Sequence, residues 1–345
     1  METKQSANSI NWKLFAGLIL SALFLYLAFR QVDFKKTGEI LASADFKYLL
    51  PVVFITAAQF IIRAWRWEIL LHPLKKTGFQ NRLLAILIGF AANCVLPARL
   101  GEFIRANSLG QAEKISKSSV FGTIVVERLF DGFILLFVFL IGLLFTELPH
   151  EMQNIYINLR RSAVLFFCVF ILIIIFILGL RHKTSLFIRM IEKAFFMFSK
   201  EMKSRLILII KNFALGLSPV KGLYSFIIII LWSLFLWLSF LVQIQLIGES
   251  IGVTLPFITS FIIMAMLSFG VMIPSAPGYI GTFHLSVQYG FMFFGVSSEE
   301  AFSAAILLHA SSFLPTILLG VFAFIRMQAI YGKIDISKEA KKKPL

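Results

Sequence analysis

The chain has 345 residues, of which 59% are hydrophobic and only 15% charged, with 33 Lys and Arg against 18 Asp and Glu for a formal net charge of +15. Its mean hydropathy is +0.87. Soluble domains carry about a quarter of their residues as charges, so the composition excludes an ordinary soluble protein and describes a polytopic membrane protein. The basic excess lies in loops and tails beside apolar runs, where anionic lipid and the positive-inside rule account for it and nucleic acid is not needed.

The first apolar run, near 14–29, follows Lys4 and Lys13 as a signal peptide would. It continues into FRQVDFKK rather than a small-residue cleavage site, and is read as a retained span. The second, 49–71, carries Arg63 and Arg66 near its cytoplasmic end, where snorkelling to the interface is an easy alternative to a buried role. Trp12, Trp65 and Trp67 read as interface anchors. Residues 83–113 then form a hairpin broken by NCVLPARLGEFIRA (93–106). Spans at 118–146, 162–180, 223–247 and 300–325 follow, with a second hairpin at 257–296 holding IPSAPGYIGTFHLS. As helices the full spans cross about 30 Å of hydrocarbon. Residues 184–212 read as an amphipathic helix on the inner leaflet. Cys94 and Cys168 both lie in apolar surroundings, so neither a disulfide nor a metal site is expected.

The basic segment 181–221 and the tail KEAKKKPL belong in the cytoplasm, and the turns near Glu147 to Glu151, Glu249 and Glu299–Glu300 outside. Parity then requires 83–113 to leave and return on the cytoplasmic side and 257–296 on the outer side, as re-entrant loops or pairs of short spans. VLPARLGEF (95–103) lies over MIPSAPGYI (272–280) without a gap, pairing Pro97 with Pro274 and Gly101 with Gly278, each at an offset of 177 (274 minus 97, 278 minus 101). Residues 1–345 are therefore read as one all-α transmembrane domain of six full spans and two broken hairpins. It divides into repeats at 1–147 and 162–326 of inverted topology, followed by a basic cytoplasmic tail at 327–345.

The costly residues come next. Arg99, Glu102 and Arg105 follow the Pro97 break at i, i+3 and i+6 and form a polar face. In TIVVERLFDGFILL, Glu127 and Asp131 share a helical face with Arg128 adjacent, at a depth well inside the hydrocarbon. Each mid-depth charge costs about 2.5–3.5 kcal/mol on insertion scales. These residues therefore pair or face water: either as buried salt bridges knitting helices, or as arginines contacting an anionic ligand while the carboxylates tune them. Arginine suits phosphate because its planar fork stays charged and donates two parallel bonds.

The second hairpin offers Ser275, Tyr279, Thr282 and His284 as site residues, and Pro277, Gly278 and Gly281 as further breaks, with a kinked packing element as the alternative. His309 is a hydrogen-bonded core histidine or, with His284, a proton-responsive residue. There is no GxxxxGK[ST], HExxH or GxSxG motif and no soluble stretch longer than about forty residues, so no catalytic residues, cofactor or metal are expected.

The chain resembles the lysylphosphatidylglycerol synthase transmembrane-region family, also called flippase-like or UPF0104 proteins. The resemblance rests on N-x-V-L-P-A-R-L-G-E-F-x-R-A (93–106), V-E-R-L-F-D-G (126–132) and P-S-A-P-G-Y-I-G-T-F (274–283), and spans nearly the whole chain. In multiple peptide resistance factor proteins such a domain is fused to a soluble transferase and moves aminoacylated phosphatidylglycerol between leaflets. This chain ends at Leu345 without that domain, so lysyl transfer is not expected. The resemblance implies a plasma-membrane translocase of an anionic or aminoacylated phospholipid or lipid-linked headgroup. Arg99, Arg105 and Arg128 would hold its phosphate, and Glu102, Glu127 and Asp131 would pair them when the site is empty. Membrane lipids are the expected partners, with a separate lipid synthase and a second copy of the chain as candidates. Rival readings are a secondary transporter of a small anionic solute, a membrane-embedded transferase on lipid-linked sugars, and a scaffold for a synthase.

Overall fold

The computed structural model describes residues 19–30, 32–96, 99–146, 157–158, 160–169, 171–172, 222–273 and 275–332, and among these every regular element is helical. The protein is an all-α membrane protein, as composition required. In chain order come α1 (Ile19–Phe29), α2 (Phe34–Ser43), α3 (Phe46–Leu71), α4 (Phe79–Val95), α5 (Gly101–Glu113) and α6 (Lys117–Phe145). Helical positions at 160–169, here α7, precede α8 (Leu223–Ser250), α9 (Thr259–Met272), α10 (Thr282–Met292) and α11 (Ser298–Tyr331).

Local chemistry sets several boundaries. The Asp33 carboxylate accepts from the Lys35 and Lys36 N–H groups to start α2, a helix that the span pattern did not show. Asp45 accepts from Lys47 to start α3, and a reciprocal Ser297–Glu300 capping box starts α11. Four helices, α3, α6, α8 and α11, are long and apolar enough to cross a membrane. The span at 162–180 is helical where described, but 173–180 lie outside the described residues. So do Lys4, Lys13, Trp12, the connection at 147–151, the 184–212 helix, the basic segment 181–221 and most of the tail at 327–345. Pro97 and Pro274, the two expected breaking prolines, also fall outside them.

Both hairpins are present. Their arms have 17 and 13 residues in α4 and α5, and 14 and 11 in α9 and α10. At about 1.5 Å per residue each arm falls short of roughly 30 Å of hydrocarbon. Both hairpins are therefore built from helices shorter than the four long ones. The arms of the first hairpin meet backbone to backbone: a Cβ on Gly101 would collide with the carbonyl oxygen of Gly89 and lie 2.5 Å from Asn93 Oδ1. At the second tip Gly278 and Gly281 take φ of 73° and 95°, conformations that a side chain disfavours.

The contacts at the two ends of the bundle show that the hairpins open at opposite ends. At one end the Asp45 N–H donates to Ser250 O (2.8 Å), the Asp33 N–H to Glu299 (3.4 Å) and Gln288 to Ser298 (3.0 Å). This is where α9 and α10 open. At the other end the Tyr331 hydroxyl donates to Asn81 (2.8 Å), Lys75 to Glu113 O (2.7 Å) and the Gly78 N–H to Glu113 (2.8 Å). There α4 and α5 open.

Among the described residues two large apolar clusters hold the bundle, with a smaller third at Leu143, Ala163 and Ile262. One large cluster centres on Trp67, Leu70, Leu87, Leu109 and Ile124, and the other on Val52, Ile134, Leu241, Ile263 and Leu308. Exposed Phe46, Phe54, Phe235, Leu318 and Phe322 present an apolar outer surface suited to lipid.

Candidate functional site

The hairpin tips meet. Arg99 donates to Val271 O (2.8 Å) and lies 5.8 Å from the Tyr279 ring centroid. Arg99 and Tyr279 both take positive φ, 53° and 55°, a strained arrangement for residues with side chains. Beside the tips is a cavity of about 280 Å³. It lies between the two large apolar clusters, with Phe60 from one and Ile244, Leu267 and Phe283 from the other in its wall.

Four ionisable cationic or acidic groups line it: Arg63, Arg99, Glu102 and Arg128. Arg63 is 7% exposed, its Nη1 has no hydrogen-bond partner, and its guanidinium sits 4.7 Å from the Phe90 ring. Arg128 reaches from α6 to three carboxylates, Glu102 at 3.2 Å and Glu127 and Asp131 at 3.3 Å each.

Behind Arg128 lies a closed ion network. Glu127 receives a bidentate fork from Arg105 (3.1 and 2.8 Å) and sits 3.1 Å from Arg66. Arg66 also binds Asp131 (2.5 and 3.2 Å) and Ser233 (2.8 Å). The Arg105 guanidinium lies 3.8 Å above the Trp67 ring, and Trp67 donates to Thr123 (2.9 Å). In a low-dielectric interior such pairs depend on the remaining donors being met, and here Arg66 Nε and Arg105 Nε have no hydrogen-bond partner.

The expected residues therefore divide. Arg99, Glu102, Arg128 and Tyr279 line the cavity, whereas Arg105, Glu127 and Asp131 belong to the buried network and do not reach it. Thr282 donates to Ser275 (3.2 Å) within the second hairpin, and neither lines the cavity. His309 Nε2 is 2.9 Å from Gly278 O, and its ring lies 4.7 Å from that of His284. Both histidines stand behind the second tip. Pro277 opens the short helical turn Pro277–Tyr279 at that tip.

One alternative is closed and one expectation is corrected. Arg63 and Arg66 do not snorkel: they are 7% and 0% exposed. Trp67 is no interface anchor, being fully buried under Arg105. The missed signal was periodic. Thr56, Gln59, Arg63 and Arg66 fall at i, i+3, i+7 and i+10 of an apolar helix, one polar stripe turned inward.

Fold and site together define an integral membrane protein with a positively lined cavity between two helical hairpins that open at opposite ends of the bundle. The family described as lysylphosphatidylglycerol synthase TM region matches residues 14–320, and the chain belongs to it. Over 130 residues it is 31% identical to UPF0104 membrane protein MJ1595 of Methanocaldococcus jannaschii, covering 36% of this chain and 39% of that one. Over 338 residues it is 25% identical to Glycosyltransferase AglD of Haloferax volcanii, covering 90% of this chain and 54% of that one. Over 321 residues it is 24% identical to UPF0104 membrane protein PH1989 of Pyrococcus horikoshii, covering 88% and 93%. The chain thus spans less than two thirds of the length of the first two relatives. No solved structure matches it.

Proposed function

We propose that this chain carries a phosphate-bearing lipid headgroup between leaflets through the cavity, while the lipid's tails stay in the bilayer. The observation that carries this reading is Arg63: a buried guanidinium facing a cavity, with an unpartnered Nη1 and no carboxylate paired to it among the described residues. A buried arginine without a counter-ion is costly unless an anion arrives. Arg99 and Arg128 line the same cavity, where Glu102 lies 3.2 Å from Arg128 and would give way to the phosphate. Arg105, Glu127, Asp131 and Arg66 act as the frame that holds Arg128 in place. Ser275 and Thr282 support the second tip, His309 holds its Gly278 carbonyl, and His284 packs against the His309 ring.

The lysine- and arginine-bearing end, with Lys75, Lys76, Lys114 and Arg326, is the cytoplasmic face in this reading, and the end with Asp33, Asp45, Glu249 and Glu299 is the outer face. Both termini are then cytoplasmic. The matched family region is by its description a transmembrane region, which supports a carrier rather than a catalyst. The relative called a glycosyltransferase supports a lipid that is itself a product of sugar transfer.

The test uses the protein reconstituted in vesicles with fluorescent short-chain phosphatidylglycerol, and reads inner-leaflet probe reaching the outer leaflet. Arg63→Met combined with Arg99→Ala is expected to reduce the rate to that of protein-free vesicles. An unchanged rate removes the cavity from the transport path.

A further inference from the structure

The neutral wall of the cavity carries information about the headgroup that the arginines do not. One turn from Arg63 along α3 is Gln59, whose Nε2 donates to Ser239 (2.9 Å) and Gln243 (3.0 Å). Gln59 lines the cavity, and its Oε1 receives no hydrogen bond among the described residues. Asn93 Oδ1 accepts from the Gly101 N–H (2.8 Å), and its Nδ2 has no acceptor among the described residues. Ser268 and Ser312 also line the cavity, and their hydroxyls are unused among the described residues. These are neutral donors and acceptors in a space of about 280 Å³.

The charge lining points the same way. Three guanidiniums and one carboxylate face the cavity among the described residues, and that carboxylate, Glu102, is already 3.2 Å from Arg128. A headgroup bearing an ammonium would meet net positive charge with no free acceptor of opposite sign. A phosphate followed by uncharged hydroxyls would satisfy the arginines with the first and the amide and serine wall with the second.

We infer that the cavity selects a phosphate carrying an uncharged polyol, and disfavours the lysine-bearing lipid for which the family is described. This rests on the proposed headgroup site and narrows its substrate class. A site built to bond hydroxyls discriminates strongly against an analogue lacking them, because its polar groups are then left unpaired.

The experiment is displacement of fluorescent short-chain phosphatidylglycerol from the purified full chain by short-chain phosphatidylglycerol, phosphatidylinositol, phosphatidic acid, lysyl-phosphatidylglycerol and free glycerol phosphate. The two polyol lipids are expected to bind about tenfold more tightly than phosphatidic acid, and lysyl-phosphatidylglycerol more weakly still. Gln59→Met and, separately, Ser312→Ala are expected to shrink the polyol preference. Ser312→Ala serves as the second variant because Gln59→Met also removes the bonds to Ser239 and Gln243. Equal binding of phosphatidic acid and phosphatidylglycerol, tighter binding of the lysyl lipid, or a preference unchanged in both variants overturns the inference and leaves a phosphate site standing. Free glycerol phosphate competing as well as the lipid supports the polyol-phosphate chemistry and counts against a lipid source. No binding of the fluorescent lipid overturns both readings.

Discussion

Arg63 and Arg66 are three residues apart on one helix and meet opposite environments. Arg66 is closed into a network with Glu127 and Asp131, whereas Arg63 faces open space. Removing Arg66 strands buried carboxylate, a change of about 3–5 kcal/mol in comparable buried pairs. Removing Arg63 strands nothing. Thermal unfolding in detergent is therefore expected to show Arg66→Met strongly destabilised and Arg63→Met as stable as the parent or more so. Short-chain phosphatidylglycerol should raise the midpoint of the parent but not of Arg63→Met. Equal midpoints for the two variants would falsify the division between frame and site. The distinction was half legible beforehand: the stripe from Thr56 to Arg66 announces an inward polar face, but not which arginine finds a carboxylate, since Glu127 and Asp131 come from a helix some sixty residues on.

At the scale of elements, the hairpins depend on small residues where backbones touch. Gly101 meets the Gly89 carbonyl, and its own N–H donates to Asn93. A methyl group there must push the arms apart, and overpacking of this kind costs about 1–3 kcal/mol or more. Gly101→Ala is expected to lower the melting midpoint and slow transport together, because Arg99 and Glu102 flank the same break. Gly38→Ala is the matching control: it lies in α2 with nothing within 4 Å of the added carbon, and helix propensity predicts a gain of about 0.5–1 kcal/mol. Equal loss in both variants would show that the close approach carries no special weight. The Pro/Gly spacing in VLPARLGEF and MIPSAPGYI marked both breaks, because the chemistry that interrupts a helix is local. That the tips touch through Arg99 and Val271 was not legible, because the contact joins residues 172 apart.

At the scale of the molecule, long helix, hairpin of shorter helices and long helix occur twice, as α3 to α6 and α8 to α11, with the hairpins opening at opposite ends. The repeat boundaries at 1–147 and 162–326 are our proposal for how the chain divides. In a background with Cys94 and Cys168 replaced, Ser116→Cys and Ser297→Cys place single thiols at the two ends. A membrane-impermeant maleimide is expected to label Ser297→Cys from outside and Ser116→Cys only after the membrane is opened. Labelling of both from one side would exclude inverted insertion.

Composition and period alone determined that the chain lives in a membrane, where its long helices run and where they break, because hydrocarbon thickness and backbone hydrogen bonding act on contiguous stretches. The tertiary structure alone decided which charges neutralise one another and which face a cavity. Coulombic pairing at about 3 Å depends on side chains delivered from α3, α5 and α6 to one point, and no local pattern encodes that convergence.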